Sequence, residues 1–255
     1  MARIINNRTV VPEELPEPVW HSAAYTFHSY AYRDPRSAFA SGIGVPVVSP
    51  TTVILGIVST LFSIGDADAA KRLLATAHQC EVVVDAPNGV VFYRAFHQLR
   101  RFHTYYNNKD PKKGVNPRYG FTTINQGTRE YGLVDGSMTL YIGAPAEHRN
   151  AIETGLLNLR HIGTSDSLCS LVASVERCNK PERILYLPIS EASQANSSQV
   201  ATIITLSRFI RNRPVLQTLP HWKMTGNTDD TELVPFVIPG GFQGTTRGRV
   251  YRKKM

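Results

Sequence analysis

The chain has 255 residues, of which 42% are hydrophobic and 19% charged, and carries a formal net charge of +8 at neutral pH. This is the composition of a globular protein with a real core, not of a disordered chain. The excess of cations suits a polyanion, either nucleic acid or an anionic membrane surface, or a basic surface kept for solubility, and net charge alone does not separate these. Cys80, Cys169 and Cys178 form no CxxC pair, so neither a disulfide framework nor a structural zinc site is expected, and the odd count fits a reducing cytoplasm.

Residues 1–18 read as an extended leader, because Pro12, Pro16 and Pro18 prevent regular pairing. The leader lacks the apolar run of a signal peptide. From Val19 to Arg33 the sequence VWHSAAYTFHSYAYR alternates aromatic with small or polar residues and predicts a first strand. After a loop rich in glycine and proline, Ser49-Pro50-Thr51-Thr52 opens an apolar helix over Thr51–Phe62, with the hydroxyl residues as caps. The apolar stretch Val45–Ile64 is broken by Pro46, Pro50 and Gly56 and does not read as a membrane span.

A second short helix is expected over Asp66–His78. Glu81–Asp85 and Val90–Phe96 flank Pro87-Asn88-Gly89, which predicts a β-hairpin. Between Arg94 and Tyr131 the chain reads as a long, basic and aromatic loop. Ser137–Ile142 reads as a strand, Glu147–Leu159 as a helix and Leu168–Val175 as a strand. A polar connection over 178–200 and a strand over Val200–Ile210 follow, then a glycine-containing tail with a basic end. The pattern lacks a regular βα rhythm and points to an α+β class with a split βαβ sheet. The boundaries read as a domain over 19–175, with a β-rich C-terminal part over 176–255 packed on it.

The basic segment is the most informative feature. Arg94, Arg100, Arg101, Lys109, Lys112, Lys113, Arg118 and Arg129 face only Asp110 and Glu130, and Phe96, Phe102, Tyr105, Tyr106, Tyr119 and Phe121 are interleaved with them. Cations neutralise phosphates while aromatic faces stack on unpaired bases, a combination suited to single-stranded RNA. The basic tail, Arg247, Arg249, Arg252, Lys253 and Lys254, is weaker support, since basic ends are often only solvated. Gly240, Gly241 and Gly244 match no phosphate loop.

Metal-independent RNA cleavage needs a base for the 2′-hydroxyl and an acid for the leaving oxygen. His97 and His103 lie in this segment near Tyr105, Tyr106, Lys112 and Lys113, yet nothing in the spacing fixes a base–acid pair. His21 and His28 read as core or surface residues, no acids cluster with histidines at ligand spacing, and no GxSxG marks a serine hydrolase.

Two segments, YTFHSYAYRDPRSAFASGIGVPVVSPTTVILGIVSTLFSIG and TREYGLVDGSMTLYIG, resemble in order and separation the CRISPR-associated Cas-five family of the RAMP superfamily; HIGTSDSLCSLV adds a less specific likeness. The resemblance covers about half of the chain, Tyr25 to Val172. It implies a ferredoxin-like (RRM-like) sheet with a protruding thumb, here residues 94–131. It also implies a non-catalytic subunit of a Cascade complex that holds the 5′ handle of the guide RNA. Backbone and large subunits would be neighbours, and target DNA would be engaged only through the complex.

The expected RNA contacts are Arg100, Arg101, Lys112, Lys113, Arg118 and Arg129 for phosphates and Tyr105, Tyr119 and Phe121 for bases, with Arg33 and Arg36 added by the resemblance. No cofactor or metal is expected. One branch of that family cleaves precursor RNA with tyrosine, lysine and histidine, and no complete set aligns here. The competing readings are a guide-processing endoribonuclease with His97 or His103 as base, and an RNA-binding module of the translation machinery.

Overall fold

The computed structural model describes residues 17–35, 43–102, 122–181, 187–188, 201–211, 230–244 and 248–254, and of 97–102, 122–128 and 187–188 the backbone alone. The first strand, β1 (Val19–Phe27), buries Trp20, His21, Ala23 and Tyr25 at alternating or adjacent positions. It ends earlier than the aromatic run suggests. The His28 amide donates to the Leu168 carbonyl, and Tyr30 pairs instead with Gly132 of another sheet. One aromatic-rich sequence therefore serves two sheets.

Helix α1 (Pro50–Ser63) forms over the expected residues, with Pro50 in its first turn, where a missing N–H costs nothing. The hydroxyls do not cap it. Ser49 Oγ accepts the Ser207 amide at 3.0 Å, and Thr51 Oγ1 lies 3.2 Å from Ser207 Oγ, so both tie the helix start to a distant strand. Helix α2 (Ala67–Ala75) is capped by Asp66, whose carboxylate accepts the Ala69 amide. The remainder of that predicted helix is a 3-10 turn at Ala77–Gln79.

Strand β2 (Glu81–Asp85) occupies the predicted residues, but Asn88-Gly89 does not close a hairpin. β2 pairs with β5 (Met138–Ala144), whereas β3 (Gly89–Phe102) leaves for a second sheet. The tight turn that the sequence suggested at Asn88-Gly89 lies instead at Gly136 (φ 82°), between β4 (Thr122–Asp135) and β5. A side chain at Gly136 would come within 2.8 Å of Asn88 Nδ2, so the corner residue packs on the turn rather than making it.

Helix α3 (Arg149–Asn158) follows a short 3-10 turn, and β6 (Cys169–Leu171) is the surviving core of the predicted 168–175 strand. The first sheet has the order β2-β5-β1-β6, antiparallel throughout. With α1 between β1 and β2 and α3 between β5 and β6, this is the ferredoxin-like βαββαβ arrangement, an α+β fold. β7 (Glu176–Cys178) also pairs with β1, at Trp20–Ser22, where the sequence suggested only a connection. Beneath the sheet, Val53, Ile54, Ile57, Val58 and Leu61 of α1 join Leu140, Ile142, Ile152 and Leu156 in one buried cluster. No helix among the described residues is long and apolar enough to cross a membrane.

Where it is described, the segment expected to be loop is strand. β3 and β4 pair in unbroken register from Gly89↔Asp135 to Phe102↔Thr122, a ribbon about 45 Å long at ~3.4 Å per residue. The sequence conceals it because strand alternation is interrupted by charges that a solvent-facing ribbon tolerates. The C-terminal part is β-rich, as expected: β8 (Leu187–Pro188), β9 (Ala201–Phe209), on the predicted strand, and β10 (Thr231–Pro239) form one sheet. β11 (Gly241–Gly244) and β12 (Gly248–Arg252) extend the ribbon sheet to the order β11-β12-β3-β4. Gly240, at φ 110°, turns β10 into β11 so tightly that a side chain there would lie 2.2 Å from the Arg252 carbonyl.

The ribbon's root is held by one buried carboxylate. Glu130, on β4, accepts the Gly44 amide and Arg249 Nη2, each at 2.5 Å. Arg249 Nη2 also reaches the Gly44 carbonyl at 2.9 Å, and its guanidinium lies over the rings of Phe92 and Phe242 at 5.2 and 5.1 Å. Replacing Glu130 with Gln removes the charge from a site where Arg249 keeps its own, and should lower unfolding free energy by about 2 kcal/mol. Urea unfolding of the two proteins checks this; midpoints that coincide would show that Glu130 does not hold the root.

Candidate nucleic-acid interface

The ribbon leaves the body where β12 stops covering it. β12 pairs with Gly89–Tyr93, so among the described residues only two strands remain from Arg94 to Phe102 and from Thr122 to Glu130. Arg100 and Arg101 sit opposite Ile124 and Thr123 in this two-stranded part, and the pleat assigns consecutive positions to opposite faces. Arg36, Tyr105, Lys112, Lys113, Arg118, Tyr119 and Phe121 lie outside the described residues, as does His103. The residues at 122 and beyond return from that segment, so the chain from 103 to 121, with Lys109, Lys112, Lys113 and Arg118 against Asp110, joins the two ends of the ribbon.

Arg129 is present at the ribbon root, but engaged. Its Nη1 donates to Asp166 Oδ2 at 2.5 Å, and Tyr131 donates its hydroxyl to the same oxygen at 3.3 Å. The Arg129 and Asp166 side chains are 32% and 34% exposed, open enough for an incoming anion to compete for the guanidinium. Burial and then the Asp166 charge push the Tyr131 phenol up, against the opposite pull of Arg129, so the hydroxyl stays a neutral donor.

Around Asp166 segments distant in sequence meet. Ser29 Oγ donates to the Asp166 carbonyl, the Ala31 amide to Ser167 Oγ at 2.9 Å, and the Gly132 amide to the Tyr30 carbonyl at 2.7 Å. Arg33 is placed beside Gly44 by an antiparallel bridge. No local pattern marks Asp166 as a partner of Arg129, because the two are separated by 37 positions and only the fold brings them together. Nor does one mark Tyr93 and Tyr131, which pair across β3 and β4 with ring centroids 6.1 Å apart and planes 29° from parallel. Tyr93 lies in the predicted strand Val90–Phe96, but its cross-strand partner Tyr131 closes the segment read as loop, so the pairing had no sequence signal.

The basic tail contributes less than its composition suggests. Arg249 is tied to Glu130, and Lys253 donates to Asp85 at 2.5 Å and to the Ala86 carbonyl at 3.2 Å; Arg252 and Lys254 are exposed.

Three of the described imidazoles are engaged in structural contacts. His21 Nε2 lies 3.1 Å from Glu153 Oε1, His28 Nε2 2.7 Å from Ser170 Oγ, and His148 Nε2 2.6 Å from Thr76 Oγ1, with burial pushing the His148 pKa down. Burial pushes the Cys80 and Cys169 thiols up to about 12, so neither is a nucleophile at neutral pH. Among the described residues no group of three or more His, Cys, Asp or Glu side chains is placed to hold a metal ion.

No protein-family model matches the chain, and no curated protein matches it. Among solved structures it is similar to a CRISPR protein from Archaeoglobus fulgidus, at 10% identity and a TM-score of 0.42, over 92% of this chain and 93% of that one. It is also similar to a chain of a CRISPR RNA-guided surveillance complex, at 13% identity and a TM-score of 0.37, over 86% of this chain and 91% of that one.

Proposed function

We propose that this chain is a non-catalytic RNA-binding subunit of a CRISPR Cascade complex, gripping the 5′ handle of the guide RNA. The observation that carries the reading is the long ribbon inserted between the second and third strands of a ferredoxin-like sheet, bearing Arg100 and Arg101 and leading to a lysine-rich connection. A projecting two-stranded ribbon of this length buries little apolar surface of its own. Its cations are suited to tracking a phosphate backbone, and its aromatics to holding displaced bases. The backbone and large subunits of the complex are the proposed neighbours, target DNA is met only through them, and the cytoplasm is the proposed compartment.

Binding without cleavage is the expected behaviour. Incubated in EDTA with a repeat-derived RNA labelled at both ends, the purified chain should shift the RNA on native gels and leave it intact on denaturing gels. Neutralising Arg100 and Arg101 to Gln should weaken binding and reduce the slope of log K against log salt by about 1.4, at ~0.7 per phosphate contact on a single strand. Unchanged affinity and slope would remove the ribbon from the interface. A discrete cut in EDTA, lost on substitution of His97 or His103, would instead make the protein a guide-processing endoribonuclease.

Asp166 occupies the guanidinium that a phosphate would take. Asp166→Asn should release Arg129, raising RNA affinity about threefold and steepening the salt slope by ~0.7. The same change should cost less than about 1 kcal/mol of stability, because the pair is partly solvated. Titration of both proteins across a salt series reads this directly. A fall in affinity would mean that Asp166 orients Arg129 for its partner and does not compete with it.

A further inference from the structure

We infer that the ribbon holds an unpaired RNA base on Phe96, with Arg94 taking the adjoining phosphate; the inference deepens the RNA-binding reading and rests on it. Both residues lie on the face of β3 that is core at the root. There Val90 and Phe92 are buried, and Phe92 is covered by the Arg249 guanidinium at 5.2 Å, by the Phe242 ring and by Gly44. β12 ends opposite Tyr93, and with it the cover of that face ends. Two steps on, the Phe96 ring is 67% exposed, more than any other large hydrophobic side chain among the described residues. A singly exposed apolar residue needs no explanation by itself. What sets Phe96 apart is the arginine beside it.

Arg94 is exposed and stands directly opposite Glu130 on β4. A carboxylate in that position is the natural cross-strand partner of an arginine. Glu130 is already taken, since it is buried and accepts the Gly44 amide and Arg249. Arg129, Arg208 and Arg249 each hold a carboxylate, whereas Arg94 has no ion-pair partner among the described residues. Its charge is therefore left for an external anion.

The surroundings of the ring identify the occupant. On the same face, the position across from Phe96 is a threonine, Thr128, and the next position outward is a glutamine, Gln98. A protein neighbour would need a contiguous apolar patch to bury, and this face offers one ring among polar positions. A nucleobase needs only a π-face to stack on and a cation for its phosphate. Positions 94 and 96 are about 7 Å apart at ~3.4 Å per residue, close enough for one nucleotide to span them. The pleat repeats the order outward, because positions 100 and 102 of the same face are again arginine and phenylalanine. Positions 95, 97, 99 and 101 of the other face, alanine, histidine, leucine and arginine, show no such repeat.

The test uses the full chain, a fluorescent 12-nucleotide single-stranded RNA and the same strand with abasic sugars. Phe96→Thr puts a strong strand former at an exposed site and should fold as the parent does; Phe96→Tyr retains the ring. Phe96→Thr should weaken binding to the base-bearing RNA about tenfold, the effect of losing one stacked base, with the salt slope unchanged. Phe96→Tyr should bind like the parent, and the abasic strand should not distinguish these three proteins. Arg94→Gln should weaken binding to both strands and lower the salt slope by ~0.7, one phosphate contact.

Equal affinity of Phe96→Thr and the parent for the base-bearing RNA would overturn the site while leaving RNA binding in place. An equal loss on both strands would overturn base stacking as the cause. An unchanged slope for Arg94→Gln would overturn the phosphate contact. A parent that binds neither strand would overturn the site together with the RNA-binding reading.

Discussion

A projecting ribbon acts as a lever, and whatever it grips is transmitted to its root. At that root Glu130 accepts hydrogen bonds from Gly44, in the loop before α1, and from Arg249, on β12, while itself belonging to β4. One carboxylate thus joins three stretches of chain that are far apart in sequence. The geometry is demanding, because a buried charge is tolerated only with full hydrogen bonding and an opposite charge at hand. Arg249 supplies that charge and lays its planar group over Phe92 and Phe242, which a lysine could not do equally well. The Tyr30–Gly132 bridge adds a backbone tie on the other side of β4. The ribbon is therefore anchored on both edges, by β12 along β3 and by the segment after β1 along β4.

The parts of the fold that could be read from sequence are those decided locally. Helix α1 was legible from its proline start and apolar run, β2 from its three valines, and β9 from its β-branched composition. Elements whose reality depends on distant partners were not. Asn88-Gly89 has the chemistry of a hairpin, yet β3 pairs with β4 and β12, and no local feature records that choice. The tail has the composition of a solvated basic end, but β12 finds an open edge on β3, and Arg249 is drawn inward by a glutamate 119 positions away. The candidate site divides in the same way. Its charge was visible as composition, whereas the engagement of Arg129 by Asp166 and the Tyr93–Tyr131 pair depend on strand register.

The formal charge of +8 is consequently a poor guide to where an anion would bind. Arg249, Lys253, Arg208, Lys180 and Arg149 each hold a carboxylate within the body, so these cations serve folding first. Arg94, Arg100 and Arg101 of β3 and the four lysines and arginines of 103–121 are matched over residues 94–121 by Asp110 alone. Long-range attraction acts over a Debye length of roughly 10 Å at 0.1 M salt, so cations gathered without carboxylates along one stretch of chain attract a polyanion before any contact, whereas a cation already holding a carboxylate, as Arg249 does, contributes little beyond its own site.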